Sequence, residues 1–126
     1  METRFYICEI CGKVIGLINY TQNPTMCCNT EMQLLKANVS DGVLEKHVPV
    51  YEINEKEEEI SVKIGEIEHP MENEHYIMWI ALVANNITTR IQLLPEKNPV
   101  VKMKYIKGAT IYSYCNKHGL WKKQID

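Results

Sequence analysis

The residues Ile60-Ser61-Val62-Lys63-Ile64 alternate apolar and polar side chains, which is the pattern of a β-strand with one buried face. Similar runs rich in β-branched and aromatic residues recur at spacings of about ten residues, and turn-like clusters separate them. These runs are residues 48–53, 60–64, 77–83, 88–94, 100–106 and 110–114. No segment has a convincing helical period. The sequence therefore predicts an all-β protein built as an antiparallel sandwich or barrel.

The cysteines and histidines divide the chain into two parts. Four of the five cysteines lie within residues 1–36, which contain no histidine, whereas the fifth cysteine and all four histidines lie within residues 37–126. The polar segment 38–42 ends in Asp41-Gly42, a turn signal, and is the predicted linker. We expect a small metal-binding domain at residues 1–36 and a β-domain at residues 37–126.

Composition excludes several classes of function. The 126 residues are 45% hydrophobic and 24% charged, which is typical of a globular protein with a modest core. A net charge of -2, with both signs scattered, provides no basic face, so nucleic acid is not an expected partner. The N-terminus lacks the pattern of a signal peptide, and the longest apolar stretch, 76–84, is too short to span a bilayer. We therefore expect a cytoplasmic protein without a membrane span.

The acidic run 55–59 is interpreted as a solvated hairpin tip.

Two cysteine pairs lie near the N-terminus. Cys8 and Cys11 form a Cys-x-x-Cys pair, and the adjacent residues Cys27 and Cys28 follow after 15 intervening residues. Two such pairs can close a tetrahedral sulfur site around a metal ion, whereas adjacent cysteines bridge each other only with strained geometry. Tetrahedral sulfur suits both zinc and iron. A purely structural role also stays open, because metal binding to such a short segment could supply about 10 kcal/mol of folding free energy.

The histidines lie at predicted strand ends or in loops. They are His47, His69, His75 and His118, and His118 follows Cys115 at ligand spacing. Each histidine alone is more typical of a surface or structural residue than of a ligand. Together with the remaining cysteine they make a mixed nitrogen and thiolate site plausible. One thiolate among several imidazoles would push electron density onto an iron centre, which favours redox chemistry over hydrolysis.

Three blocks of this sequence resemble the signatures of superoxide reductases. They are Glu45-Lys46-His47-Val48-Pro49-Val50, then His69-Pro70-Met71 with His75 and Trp79, then Cys115-Asn116-x-His118-Gly119-x-Trp121. The four N-terminal cysteines resemble those of desulforedoxin, the extra domain of the two-iron members called desulfoferrodoxins. The resemblance covers essentially the whole chain and includes all five cysteines and all four histidines.

The resemblance implies a fold and a reaction. Residues 1–36 would be a desulforedoxin-like domain holding a four-cysteine iron, and residues 37–126 an immunoglobulin-like catalytic domain. A second, mononuclear iron would have Cys115 as axial thiolate and four equatorial histidines, namely His47, His69, His75 and His118. Superoxide would receive one electron there and leave, with two protons, as hydrogen peroxide. Lys46 would attract the anion, and Glu45 would occupy the open position after oxidation. Relatives of this kind are cytoplasmic homodimers that receive electrons from rubredoxin or a similar donor.

One position departs from the related N-terminal domains. Asn29 follows the adjacent cysteines where glycine is usual, and the loop 18–26 lacks the glycines common in those domains. Asparagine tolerates a positive φ better than most residues, so the turn after Cys28 is compatible with it.

Two alternatives differ from a superoxide reductase in kind. One is a rubredoxin-like electron-transfer protein, in which the four-sulfur iron is the working centre and the second site is not catalytic. The other is a non-enzymatic binding module composed of a zinc ribbon and a β-sandwich. Iron content and colour distinguish the zinc-containing binding module from the two iron proteins. Reaction with superoxide then distinguishes the electron-transfer protein from the superoxide reductase.

Overall fold

The computed structural model of the chain describes residues 4–38, 47–64, 70–85 and 87–126. The chain divides into two compact units, Met1–Lys36 and Ala37–Asp126. Every strand pairing within the described residues is antiparallel, which confirms the all-β prediction. Among these residues no helix is both long and apolar enough to cross a membrane. The predicted linker 38–42 falls almost entirely outside the described residues.

The first unit consists of short strands around a very small core. Its strands are β1 (Arg4–Ile7), β2 (Val14–Leu17), β3 (Met26–Cys27), β4 (Thr30–Glu31) and β5 (Gln33–Leu34). They form a sheet in the order β2-β1-β5 and a separate β3-β4 hairpin. Only Phe5, Cys8 and Met32 are buried among its described side chains. Gly16 lies opposite Phe5, where a Cβ atom would come within 3.3 Å of the ring.

In its described residues, the second unit is an immunoglobulin-like sandwich of seven strands. They are β6 (Pro49–Asn54), β7 (Glu59–Ile64), β8 (Ile77–Val83), β9 (Thr88–Gln92), β10 (Val100–Lys104), β11 (Thr110–Cys115) and β12 (Gly119–Gln124). One sheet has the order β10-β7-β6 and the other β12-β11-β8-β9. Fully buried side chains from both sheets, including Ile60, Ile80 and Ile111, meet in one apolar core.

The alternating segment that predicted the fold is strand β7. Ile60, Val62 and Ile64 are buried, whereas Ser61 and Lys63 are more exposed. The predicted runs correspond to β6 through β11, with small shifts at their ends. Strand β12 was not predicted, because Leu120 and Trp121 are adjacent and both buried and the polar run 122–124 follows them. Residues 55–58 of the acidic run lie in the exposed turn between β6 and β7, and Glu59 begins β7.

The pairing of β8 with β11 contains one irregularity, which lies between Tyr114 and Cys115. Trp79 pairs with Tyr114, but the next pair is Ile77 with Cys115, so Met78 is an extra residue on β8. This β-bulge brings Ile77 onto the same face as Ile80, and both residues lie in the apolar core together with Cys115.

Candidate metal centres

The first cysteine pair is held by a tight turn after β1. The backbone N–H of Cys8 donates to the carbonyl of Lys13, and the N–H of Gly12 donates to the carbonyl of Cys8, both at 2.8 Å. Gly12 has a φ of 82°, which costs glycine little and other residues more. This turn places Cys11 close to Cys8 on the same side of the loop.

The second cysteine pair lies in the two-residue turn of the β3-β4 hairpin. Cys27 pairs with Thr30, and the two residues between them, Cys28 and Asn29, have φ values of 52° and 59°. Positive φ at both positions defines a type I′ turn, which matches the twist of the flanking strands. Asn29 therefore adopts the backbone conformation for which related domains use glycine. The hydroxyl of Thr30 donates to the carbonyl of Cys27 at 3.0 Å and closes the turn.

The four sulfurs are spaced as ligands of a single ion. The Sγ atoms of Cys11 and Cys27 are 3.7 Å apart, and those of Cys27 and Cys28 are 3.9 Å apart. Around a metal with bonds of about 2.3 Å, the sulfurs of a regular tetrahedron lie about 3.8 Å apart. All four sulfurs lie within 4.8 Å of one another, and none forms a disulfide. The residues therefore fit a tetrahedral four-sulfur metal ion.

The pKa values of these thiols depend on hydrogen bonds within the cluster. Backbone N–H groups of Cys11 and Ile10 lower the pKa of Cys8 to about 7, against the opposing effect of its burial. Hydrogen bonding to the Cys11 sulfur raises the pKa of Cys27, and the same cause raises the pKa of Cys28 to about 12. One thiolate thus forms readily, and each further thiolate is disfavoured beside it. A divalent cation removes that penalty, because a coordinating thiol is deprotonated outright.

The second cluster gathers side chains from three separate segments of the sandwich. His47 precedes β6, His75 precedes β8, Cys115 ends β11, and His118 lies in the turn between β11 and β12. Gly119, with a φ of 80°, closes that turn. His47 and Cys115 are buried, whereas His75 and His118 are partly buried. The sequence spacing of Cys115 and His118 predicted their proximity, and the fold adds the two more distant histidines.

The ligand atoms of this cluster converge on one point. Nε2 of His47 lies 3.0 Å from Nδ1 of His118, and Sγ of Cys115 lies 4.0 Å from the same nitrogen. Two nitrogens at right angles on a metal with bonds of about 2.1 Å lie about 3.0 Å apart. His75 completes the group, whose ligand atoms all lie within 4.8 Å of one another. Three imidazoles and one thiolate of this spacing fit a single transition-metal ion.

Neighbouring side chains orient these imidazoles. The ring of Trp121 is fully buried and stacks on His47, with ring centroids 4.9 Å apart. The indole N–H of Trp121 donates to the carbonyl of His118 at 3.1 Å, and the hydroxyl of Ser113 donates to the carbonyl of His47 at 3.1 Å. Sequence reasoning did not identify Ser113. Its only signal is a small polar residue within the otherwise apolar run of β11.

The environment of the Cys115 sulfur combines burial with directed donors. Burial in the apolar core raises the pKa of Cys115, while the backbone N–H groups of Lys117 and His118 and the Lys117 charge act in the opposite direction. An unligated thiol in this position holds its proton. These same N–H groups would stabilise the thiolate once a cation is bound.

Three residues named from the sequence lie outside the described residues. They are Glu45, Lys46 and His69. The structure therefore brings together eight of the nine predicted cysteine and histidine ligands, four in each cluster. Glu45, Lys46 and His69 keep their predicted roles as hypotheses.

Comparisons with known proteins agree with one another. The family model described as Desulfoferrodoxin matches residues 39–124. A desulfoferrodoxin from Syntrophotalea carbinolica is 39% identical over 120 residues, covering 94% of each chain. A superoxide reductase from Pyrococcus horikoshii is 33% identical over 112 residues, which cover 73% of this chain and 97% of that protein. The crystal structure of the superoxide reductase from Treponema pallidum superposes with a TM-score of 0.76 at 26% identity, covering 98% of this chain and 99% of the other.

Proposed function

This chain belongs to the desulfoferrodoxin family, and on that premise we propose that it is a superoxide reductase. Its substrate is superoxide, which takes up one electron and two protons and leaves as hydrogen peroxide. The two ligand groups match the two iron centres of the family, one bound by four cysteines and one bound by histidines and a single cysteine. The described residues His47, His75, Cys115 and His118 would hold the iron of the second centre, which in its ferrous state would supply the electron.

One observation carries the proposal. The Cys115 sulfur shares a pocket with the His47, His75 and His118 imidazoles, and all their ligand atoms lie within 4.8 Å of one another. A thiolate donor favours electron release from iron, whereas hydrolytic metal sites more often combine imidazoles with carboxylates. An electron donor site of this composition is suited to a small one-electron acceptor.

Residues of the chain prepare the site for that chemistry. The N–H groups of Lys117 and His118 stabilise the Cys115 thiolate, and the apolar core behind it excludes water from the sulfur. Trp121 and Ser113 donate hydrogen bonds to the backbone carbonyls of His118 and His47, and these bonds help to orient the two imidazole ligands.

Further roles follow from the family resemblance. We assign His69 as the fourth imidazole ligand, Lys46 as the cation that attracts superoxide, and Glu45 as the carboxylate that binds the oxidised iron. A lysine with a pKa near its usual value of about 10.4 is cationic at neutral pH and can steer an anion locally despite the negative net charge. Each of these assignments can be tested by substitution.

The organisation of the protein follows the same reasoning. We assign residues 1–36 as a desulforedoxin-like iron domain and residues 37–126 as the catalytic domain. We further propose that the protein is a homodimer in the cytoplasm and receives electrons from rubredoxin or a similar small redox protein.

The decisive experiment mixes anaerobically reduced protein with superoxide in a stopped-flow instrument. We expect the iron of the second centre to be oxidised as superoxide disappears, with one hydrogen peroxide formed per superoxide and no dioxygen released. Dioxygen formed in the same amount as hydrogen peroxide would instead indicate dismutation. Persistence of superoxide beside fully iron-loaded protein would refute the proposal and favour a pure electron carrier.

A further inference from the structure

Asn116 makes three hydrogen bonds to the segment that carries His75. Its Oδ1 accepts from the backbone N–H of Tyr76 at 3.0 Å, and its Nδ2 donates to the carbonyl of Glu74 at 2.8 Å. Its own backbone N–H donates to the carbonyl of Tyr76 at 3.2 Å. These bonds connect the turn that holds Cys115 and His118 with the backbone on both sides of His75.

The amide of Asn116 extends the β8-β11 ladder by one step. The last regular pair is Ile77 with Cys115. Beyond it, the N–H and Oδ1 of Asn116 face the carbonyl and N–H of Tyr76, as a further residue of an antiparallel strand would do. Because the acceptor is a side-chain oxygen, the main chain can leave the sheet after Cys115 and turn toward His118.

The same segment is anchored on its other side. His75 and Glu72 exchange backbone hydrogen bonds at 3.0 and 3.1 Å, which close a tight turn. The N–H of Ile77 donates to the sulfur of Met71 at 3.4 Å. These contacts stabilise the segment 71–77 internally. The bonds to Asn116 instead connect this segment with the turn that holds Cys115 and His118.

We propose that Asn116 is a positioning residue that sets the separation between His75 and the pair formed by Cys115 and His118. This inference rests on the proposed function, since it concerns the iron of that site. A ligand displaced by about 1 Å leaves the optimal geometry of a metal site, and partners that orient ligands typically change metal affinity or activity by about 10–100-fold. We therefore expect Asn116 to control the affinity and the redox potential of the second iron.

A matched control lies at the far end of β6 from His47. Asn54 also uses its side chain to hold a turn, because its Oδ1 accepts from the backbone N–H of Glu57 at 3.3 Å. Asn54→Ala removes a side-chain to backbone hydrogen bond from the same unit, in a turn that contains none of the described ligands. The Asn54→Ala variant therefore measures how the loss of such a hydrogen bond affects protein stability without a change near the ligands.

The experiment compares wild type, Asn116→Ala and Asn54→Ala as full chains. Ferrous iron affinity is measured by chelator competition, the midpoint potential by redox titration, and the thiolate-to-iron absorption by optical spectroscopy. We expect Asn116→Ala to lower the affinity of the histidine and cysteine site by about 10–100-fold and to shift its potential and absorption band. The four-cysteine centre should be unchanged, and Asn54→Ala should match wild type in all three readouts.

Two outcomes would overturn the positioning role: an Asn116→Ala site with wild-type affinity and potential, or equal changes in both variants. If Asn116→Ala does not fold, Asn116→Asp keeps the acceptor for Tyr76 and loses the donor for Glu74. We then expect a smaller loss of affinity in the same direction, and a wild-type value would overturn the role. A wild-type protein that binds iron in the second site but does not reduce superoxide would count against the proposed function and leave this test valid.

Discussion

Cysteine serves two different purposes in this chain, and its surroundings decide which. Cys11 and Cys28 are exposed and lie in tight turns, where four sulfurs share one small volume. Cys115 is buried in the sandwich core and is the single sulfur among imidazoles. The first environment suits an ion whose four bonds are alike, and the second suits an ion that a single thiolate polarises.

Replacing Cys115 by serine should abolish superoxide reduction. A serine hydroxyl remains protonated where the cysteine thiol is ionised by the metal, so the electron donation from sulfur is lost. The measurement is the rate of superoxide decay with reduced Cys115→Ser protein, beside its iron content. An active Cys115→Ser enzyme with iron in the second site would refute the role of the thiolate.

Replacing Cys11 by serine should have the complementary effect. The four-sulfur centre loses one of its ligands, whereas the described ligands of the second cluster all belong to the second unit. We expect the visible absorption of the first centre to disappear and superoxide reduction to continue largely unchanged. Loss of the reaction in Cys11→Ser protein that retains its second iron would contradict this division of roles.

At the scale of elements, short hairpins position most of the ligands. The β3-β4 hairpin presents Cys27 and Cys28 through a type I′ turn, and the β11-β12 hairpin presents Cys115 and His118 through a turn closed by Gly119. Each turn depends on residues that adopt positive φ. The backbone conformation of the turn is therefore as important to the site as the ligand side chains.

Substitutions at Asn29 test this dependence directly. Its φ of 59° is costly for a β-branched residue and easy for glycine. We expect Asn29→Val to destabilise the hairpin by about 1–2 kcal/mol and to weaken metal retention at the four-cysteine site, measured by chelator competition. Asn29→Gly, the matched control, should retain metal as wild type does. Equal retention by both variants would show that the turn does not limit the site.

At the scale of the whole molecule, the two units differ in how much core they bury. The described residues of the sandwich include 13 in its buried apolar cluster, whereas those of the first unit bury only Phe5, Cys8 and Met32. Chains shorter than about 40 residues usually need a metal or disulfides to fold. The first unit should therefore depend on its metal, and the sandwich should not.

Complete metal removal tests that difference. We expect the amides of β1 and β2 to lose protection from hydrogen exchange in the metal-free protein, while those of β7, β8 and β11 stay protected. Amide exchange followed by NMR resolves the two units within one sample. Persistent protection of β1 after complete chelation would show that the small core is sufficient.

The predictable part of this protein is encoded in local patterns. Alternation at 60–64 and the spacing of apolar runs indicated the strands of the sandwich, except β12, whose buried residues Leu120 and Trp121 are adjacent. The four N-terminal cysteines could be grouped because their spacing alone limits how they can meet. The supporting residues Ser113 and Asn116 could not be assigned roles, because their partners are 66 and 40 or more positions away.

The sequence by itself determined the fold class, the two groups of metal-ligating residue types and the family, since side-chain alternation, cysteine spacing and motifs are local properties. Only the tertiary structure decided that Nε2 of His47 meets Nδ1 of His118 across 71 positions of chain. That contact depends on strand register and on the packing of β6 against β11, which places His47 where the Ser113 hydroxyl donates to its carbonyl. Register is a collective result of core packing, and no short stretch of residues encodes it.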